Sequence, residues 1–111
     1  MVCRVVWSDG ALADVASIKD YIARDSVGNA KKVVDALGLA ADRVADFPFA
    51  ARMMPEFQDP TRRETFVYEY RLMYRVEGDH IRILRVVHGR RLLRNVPGSF
   101  EEMPQETYSA A

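Results

Sequence analysis

Apolar and polar positions follow two rhythms along this chain, and the change from one to the other divides it. The N-terminal run "VCRVVW" is β-branched and ends at "SDG", which predicts a first strand. From there the apolar residues recur at Leu12, Val15, Ile18 and Ile22, the spacing of a helix face, while Asp14, Lys19, Asp20 and Arg24 fall mostly off that stripe. Ser8 is placed to cap this helix, with Asp9 favourably near its positive end. "RDSVGN" interrupts the pattern. A second helix follows with Ala30, Val33, Val34, Leu37, Ala41 and Val44 on one face, and Pro48 ends it by disfavouring helical geometry at Phe47. Gly38 lowers helix propensity inside this segment and suggests a close crossing over the other helix or the sheet.

Past residues 49–60, which read as a connecting loop with apolar anchors, the rhythm becomes period two. "RRETFVYEY" predicts one strand and "YRLMYRV" the next, with Tyr70, Leu72, Tyr74 and Val76 alternating against Arg71, Met73 and Arg75. "EGDH" is a hairpin turn centred on Gly78 and Asp79, and "IRILRVV" is the returning strand, ending at His88. That turn sets Tyr70 and Arg71 roughly opposite Val86 and Val87. The expected architecture is α+β, two N-terminal helices packed on one face of a mostly antiparallel sheet. The other face would lie uncovered, and outward-facing Arg71, Arg75 and Arg82 would make it basic. Residues 1–95 form the expected domain, and residues 96–111 an acidic tail rich in Pro, Gly, Ser and Glu.

Composition narrows the classes. A chain of 111 residues suits one domain, and 49% hydrophobic with 29% charged residues is an ordinary globular balance. No apolar run is long enough for a membrane span, and "MVCRVVWSDG" lacks the features of a secretory signal, so a cytoplasmic location is expected. The one cysteine, Cys3, excludes an internal disulfide and reads as a buried structural thiol. The net charge is zero, yet residues 61–95 hold nine arginines against four acids, while the flanking segments are acidic. Every base in that stretch is arginine, which favours planar, multidentate contacts.

The chemistry that survives this reading is small. His80, His88 and Cys3 have no metal-ligand spacing, no serine sits in a nucleophile elbow, and "SDGALAD" is not a phosphate loop, so no metal or cofactor is expected. Arg71 and the "HGRR" group, His88 to Arg91, could share one end of the sheet. There they could hold an RNA backbone and stabilise charge on a scissile phosphate, with His88 moving a proton. Equally, these arginines could be a solvated edge that keeps a strand from pairing with others.

The segments "VVWSDGALADVASIKDYIARDS" and "YRLMYRVEGDHIRILRVVHGRRLL", in this order, resemble the RelE/ParE superfamily of toxins from bacterial type II toxin–antitoxin modules. The likeness spans roughly residues 2–94. It implies a growth-inhibiting toxin in a heteromeric complex with a cognate antitoxin that carries a DNA-binding dimerisation domain. In RelE-type members, basic residues and a C-terminal Tyr or His cleave mRNA on the ribosome. Arg71 and Arg91 match that set, Arg62 matches it loosely, and His88 is the available proton carrier. ParE-type members share the fold, lack most of the set and poison DNA gyrase. Here "LLRNVPG" stands where a nuclease places its aromatic base, Tyr108 lies far downstream, and Glu64 stands near an expected lysine. The resemblance therefore leans to the ParE-like, non-enzymatic subgroup. Ribosome-dependent nuclease is the alternative, and an inactive antitoxin-binding relative is a third. Arg62, Arg71, Arg75, Arg82, Arg90 and Arg91 are the candidate contacts to target or antitoxin.

Overall fold

The computed structural model describes residues 3–89. A first strand, β1 (Arg4–Trp7), leads into α1 (Asp9–Ala23) and α2 (Val27–Asp46), followed by a short β2 (Arg52–Met53) and three longer strands, β3 (Arg62–Val67), β4 (Tyr70–Glu77) and β5 (His80–His88). The five strands form one sheet in the order β1-β5-β4-β3-β2, antiparallel except where β1 runs parallel to β5. Both helices lie on one face, as the sequence predicts. The strand β2 falls inside the segment expected to be loop.

Local chemistry sets the helix boundaries. Ser8 Oγ accepts from the Ala11 N–H at 3.0 Å and donates to the Leu84 carbonyl at 2.8 Å, so one side chain starts α1 and fastens it to β5. Ser26 caps α2 by accepting from the Asn29 N–H. At its far end Phe47, with φ −137° and ψ 71°, leaves helical geometry before Pro48. Gly38 makes no close crossing: a Cβ placed there would meet nothing within 4 Å. Leu12, expected on the buried stripe of α1, is exposed, and Ala11 faces the sheet instead. Its small side chain lets the first turn of α1 sit close to β5 beneath the Ser8 anchor.

The sheet has a core on each side. On the helix face, Leu37, Ala41, Val44 and Ala45 pack on Leu72, Tyr74, Ile81, Ile83 and Val86, with buried Cys3 at the margin. On the other face, Met73, Leu84 and Val87 are closed over by Met54 and Phe57. The expectation of an uncovered second face therefore fails, because the segment between β2 and β3 folds across it. The polar–apolar period of the strands could not reveal a cover supplied by two isolated side chains in a loop.

Between Met73 and Tyr74 the β4–β5 register shifts by one residue, leaving Leu84 without a direct partner: Tyr74 faces Ile83 and Met73 faces Arg85. Arg71 thus lies opposite Val87, while Tyr70 lies opposite His88 rather than Val87. Asp14 of α1 holds this irregularity. Its carboxylate accepts from Arg85 Nε and Nη2 at 2.7 and 2.8 Å, and from the Val86 N–H at 2.8 Å.

Two consequences are measurable. Gly38→Ala adds helix propensity without a clash, and unfolding in urea is expected to show a gain of about 1 kcal/mol. Tyr74 donates its hydroxyl to the Pro48 carbonyl at 2.6 Å, and burial pushes its phenol up to about 12. Its contribution to stability is therefore intact below pH 10, the ordinary value, and is lost as pH rises toward 12. Denaturant titrations across that range should show the loss, and Tyr74→Phe should flatten it.

Candidate functional site

Arg71 is the residue on which a catalytic reading depends, and its surroundings are anionic. The pleat of β4 sends it to the face opposite the helices, beside Glu64 of β3. Its Nε donates to Glu64 Oε1 at 3.0 Å, and Nη2 makes a second contact to the same oxygen. Nη1 and Nη2 also donate to the two oxygens of Glu56 at 3.0 and 2.9 Å. Glu64, whose side chain is fully buried, accepts in addition from Arg52 Nε at 2.6 Å. Burial alone would lower the Arg71 pKa, but the hydrogen bonds and charges of Glu56 and Glu64 outweigh it and raise the value. Arg71 is thus a charged but internally satisfied cross-link, with both of its edges occupied.

Arg62 is likewise inside. Its side chain is fully buried, stacks over the Phe57 ring at 4.7 Å and lies 3.7 Å from Asp59. Burial opposes ionisation of Asp59, but hydrogen bonds from Thr61 and the charges of Arg62 and Arg75 hold its carboxyl below the usual range. Arg62, Arg75 and Arg82 stand directly opposite one another across β3, β4 and β5. Arg82 is half-exposed and reaches Glu77 at 3.3 Å; Arg75 between the two is half-buried. The predicted outward basic face is accordingly corrected. Arg62 and Arg71 are buried, Arg82 is paired, and only Arg75 and Arg82 of this group retain access to solvent.

His88 completes a different cluster. Opposite Tyr70 on β5, its ring meets the Tyr70 ring edge-on, with centroids 6.0 Å apart, and Nε2 lies 3.4 Å from Glu69. Tyr70 belongs to the helix-side core. Directly opposed residues share a face and successive residues alternate. His88 therefore projects to the helix side and Arg71 to the other. The two candidate catalytic groups share one end of the sheet but are separated by the sheet itself. Arg90 and Arg91, together with the tail from residue 96, lie outside the described residues.

The glycine of "HGRR" has a definite job. Gly89 donates its N–H to the Glu69 carbonyl at 2.7 Å, and a Cβ there would meet that same oxygen and Phe66 Cε1 at 3.1 Å each. Only glycine lets the chain leave β5 this close to the β3–β4 turn. That turn is itself strained, since Tyr68 has a φ of 53° in the left-handed region, which costs a side chain-bearing residue about 1–2 kcal/mol. Sequence reasoning missed Glu56 and Asp14 as organisers. Glu64 was signalled by standing where a lysine was expected, whereas Glu56 sits in a loop with no periodic pattern around it.

Glu64→Gln leaves a buried guanidinium short of countercharge and is expected to lower unfolding free energy by about 3–5 kcal/mol in urea titrations. Gly89→Ala forces a few tenths of an ångström of movement at a backbone carbonyl, and a thermal melt should report about 1–3 kcal/mol of destabilisation.

Known proteins match this geometry. The family described as "ParE toxin of type II toxin-antitoxin system, parDE" matches residues 5–93. Toxin RelE2 of Caulobacter vibrioides is 35% identical over 92 residues, covering 82% of this chain and 100% of that protein. Among solved structures, the chromosomal ParDE toxin–antitoxin system of P. aeruginosa aligns with a TM-score of 0.65 at 22% identity, covering 78% of this chain and 96% of that one. The YoeB dimer of Staphylococcus aureus aligns at 0.53 and 16% identity, covering 79% and 98%. These last two share the fold. With its two helices on a mostly antiparallel five-stranded sheet and its match to the family over residues 5–93, the chain belongs to the ParE toxins of the RelE/ParE superfamily.

Proposed function

We propose that this toxin arrests growth without cleaving RNA, by binding DNA gyrase, and that a cognate antitoxin neutralises it in a heteromeric complex. The observation that carries the reading is the state of Arg71, clasped by Glu64 and Glu56 with no free edge for a phosphate. A scissile phosphate is stabilised by guanidinium groups whose donors are open to it, and displacing two carboxylates from a buried arginine would cost several kcal/mol. The position of His88 on the opposite face of the sheet supports the same reading. Both gyrase and the antitoxin would be met in the cytoplasm. We place the toxic activity in residues 1–95, with residues 96–111 as an appended acidic tail and Arg75, Arg82, Arg90 and Arg91 as candidate contacts.

Purified toxin is expected to block supercoiling by gyrase or to trap cleaved DNA. After induction in a host lacking the antitoxin, DNA synthesis should stop before protein synthesis. Primer extension on translating mRNA should show intact message. Codon-phased cuts that vanish with Arg91→Ala would establish the ribosome-dependent nuclease instead, and induction with no growth defect would establish an inactive relative. The product of the adjacent small open reading frame should co-purify with the toxin and relieve the arrest.

A further inference from the structure

The sheet ends on one side in an edge that is only partly covered. β2 stops at Met53, opposite Arg63, so the outer edge of Thr65–Val67 faces no strand among the described residues. Alongside that edge runs a groove of about 230 Å³ between α2 and β3. Leu39, 61% exposed, and Tyr68, 68% exposed, stand on its two walls, with Ala36 and Ala40 as a low floor. Arg43 lines the same groove and has no acidic partner among the described residues. Tyr68 presents its ring there from a backbone conformation that side chain-bearing residues rarely adopt.

An unpaired strand edge, an apolar groove and an unmatched cation in one place describe a receptor for an extended chain. We propose that this edge is the docking site for an extended segment of the antitoxin, which adds to the sheet beside β3. An apolar side chain of the segment enters the groove between Leu39 and Tyr68, and an acidic side chain pairs with Arg43. The alternation of a strand fits this division, since successive residues point to opposite sides while the backbone pairs with Phe66. The acidic character of the segment follows from Arg43, and its extended form follows from the free edge. The strained turn fits as well: a glycine at position 68 would relax the backbone but remove the aromatic wall that the partner covers. This inference rests on the toxin–antitoxin reading and specifies the surface that the antitoxin occupies.

Hydrogen exchange on the free toxin and on its complex with the product of the adjacent open reading frame tests the site. Peptides covering residues 65–68 are expected to gain strong protection in the complex. Leu39→Glu and Arg43→Glu should each weaken binding by about 10- to 100-fold, while Arg43→Lys stays near wild type. Because Leu39 and Arg43 are exposed, both variants should keep the wild-type melting temperature. Tyr68→Gly should raise the melting temperature of the free toxin and still weaken the complex. A stable complex in which residues 65–68 stay unprotected and these variants bind normally would overturn the docking site while leaving the toxin–antitoxin reading intact. Protection confined to the β1 edge would do the same. Protection that grows with toxin concentration alone would assign the edge to a second copy and overturn the proposal. If no complex forms at all, the toxin–antitoxin reading fails, and the docking site fails with it.

Discussion

The guanidinium of Arg71, held between Glu64 and Glu56, ties together three parts of the chain that have no covalent reason to meet. Glu64 belongs to β3, Arg71 to β4, and Glu56 to the segment that crosses the back of the sheet. With Arg52 of β2 donating to the same Glu64, the network reaches four successive pieces of structure. Two arginines and two carboxylates nearly cancel in charge, which is the condition under which such groups can be buried. A buried ion network of this kind does little for net stability compared with apolar packing. It does specify geometry, because each fixed donor direction must find its acceptor. The small apolar plug of Met54, Phe57, Met73, Leu84 and Val87 lies on the same face as this network.

A second constraint acts at the other side of the hairpin. The extra residue at Leu84 breaks the β4–β5 ladder, and the Asp14 carboxylate takes up the Val86 N–H and the Arg85 guanidinium. A helix side chain thereby fixes the register of the sheet's last strand. The one-residue shift decides where the chain leaves β5, placing His88 against Tyr70 and bringing Gly89 over the Glu69 carbonyl. Without the bulge, His88 would fall one position beyond Tyr70 and the close approach at Gly89 would be lost. The functional consequence is separation: a histidine and an arginine adjacent in the simplest sheet diagram project to opposite faces.

These two constraints connect the fold to its biology. A catalytic arginine must be preorganised yet open toward its substrate. Arg71 is preorganised, but its donors are already spent on carboxylates of the same chain. The family fold thus keeps an arginine at this position and turns it from a surface group into a structural cross-link. What remains for recognition is peripheral: the half-exposed arginines of β4 and β5 and the apolar, partly unpaired rim formed by α2 and β3.

Periodicity alone established much of this protein. The spacing of apolar residues defined both helices, the Ser8 cap, the hairpin at Gly78 and the α+β class, because each depends on neighbours close along the chain. The "YRLMYRV" and "HGRR" segments also carried the resemblance to the toxin superfamily. Other features were legible only in part. Sequence placed Arg71 on a strand and flagged Glu64, but could not show the two meeting. Nor could it show Glu56 arriving from a loop fifteen positions away to complete the pair. The cover over the second face, the bulge at Leu84 and the side to which His88 points were decided by tertiary structure. Each depends on long-range contacts, and a shift of one residue in register reverses the face of every side chain beyond it. Local pattern determined which elements form. Long-range charge pairing and strand register decided which arginines remain available to a partner.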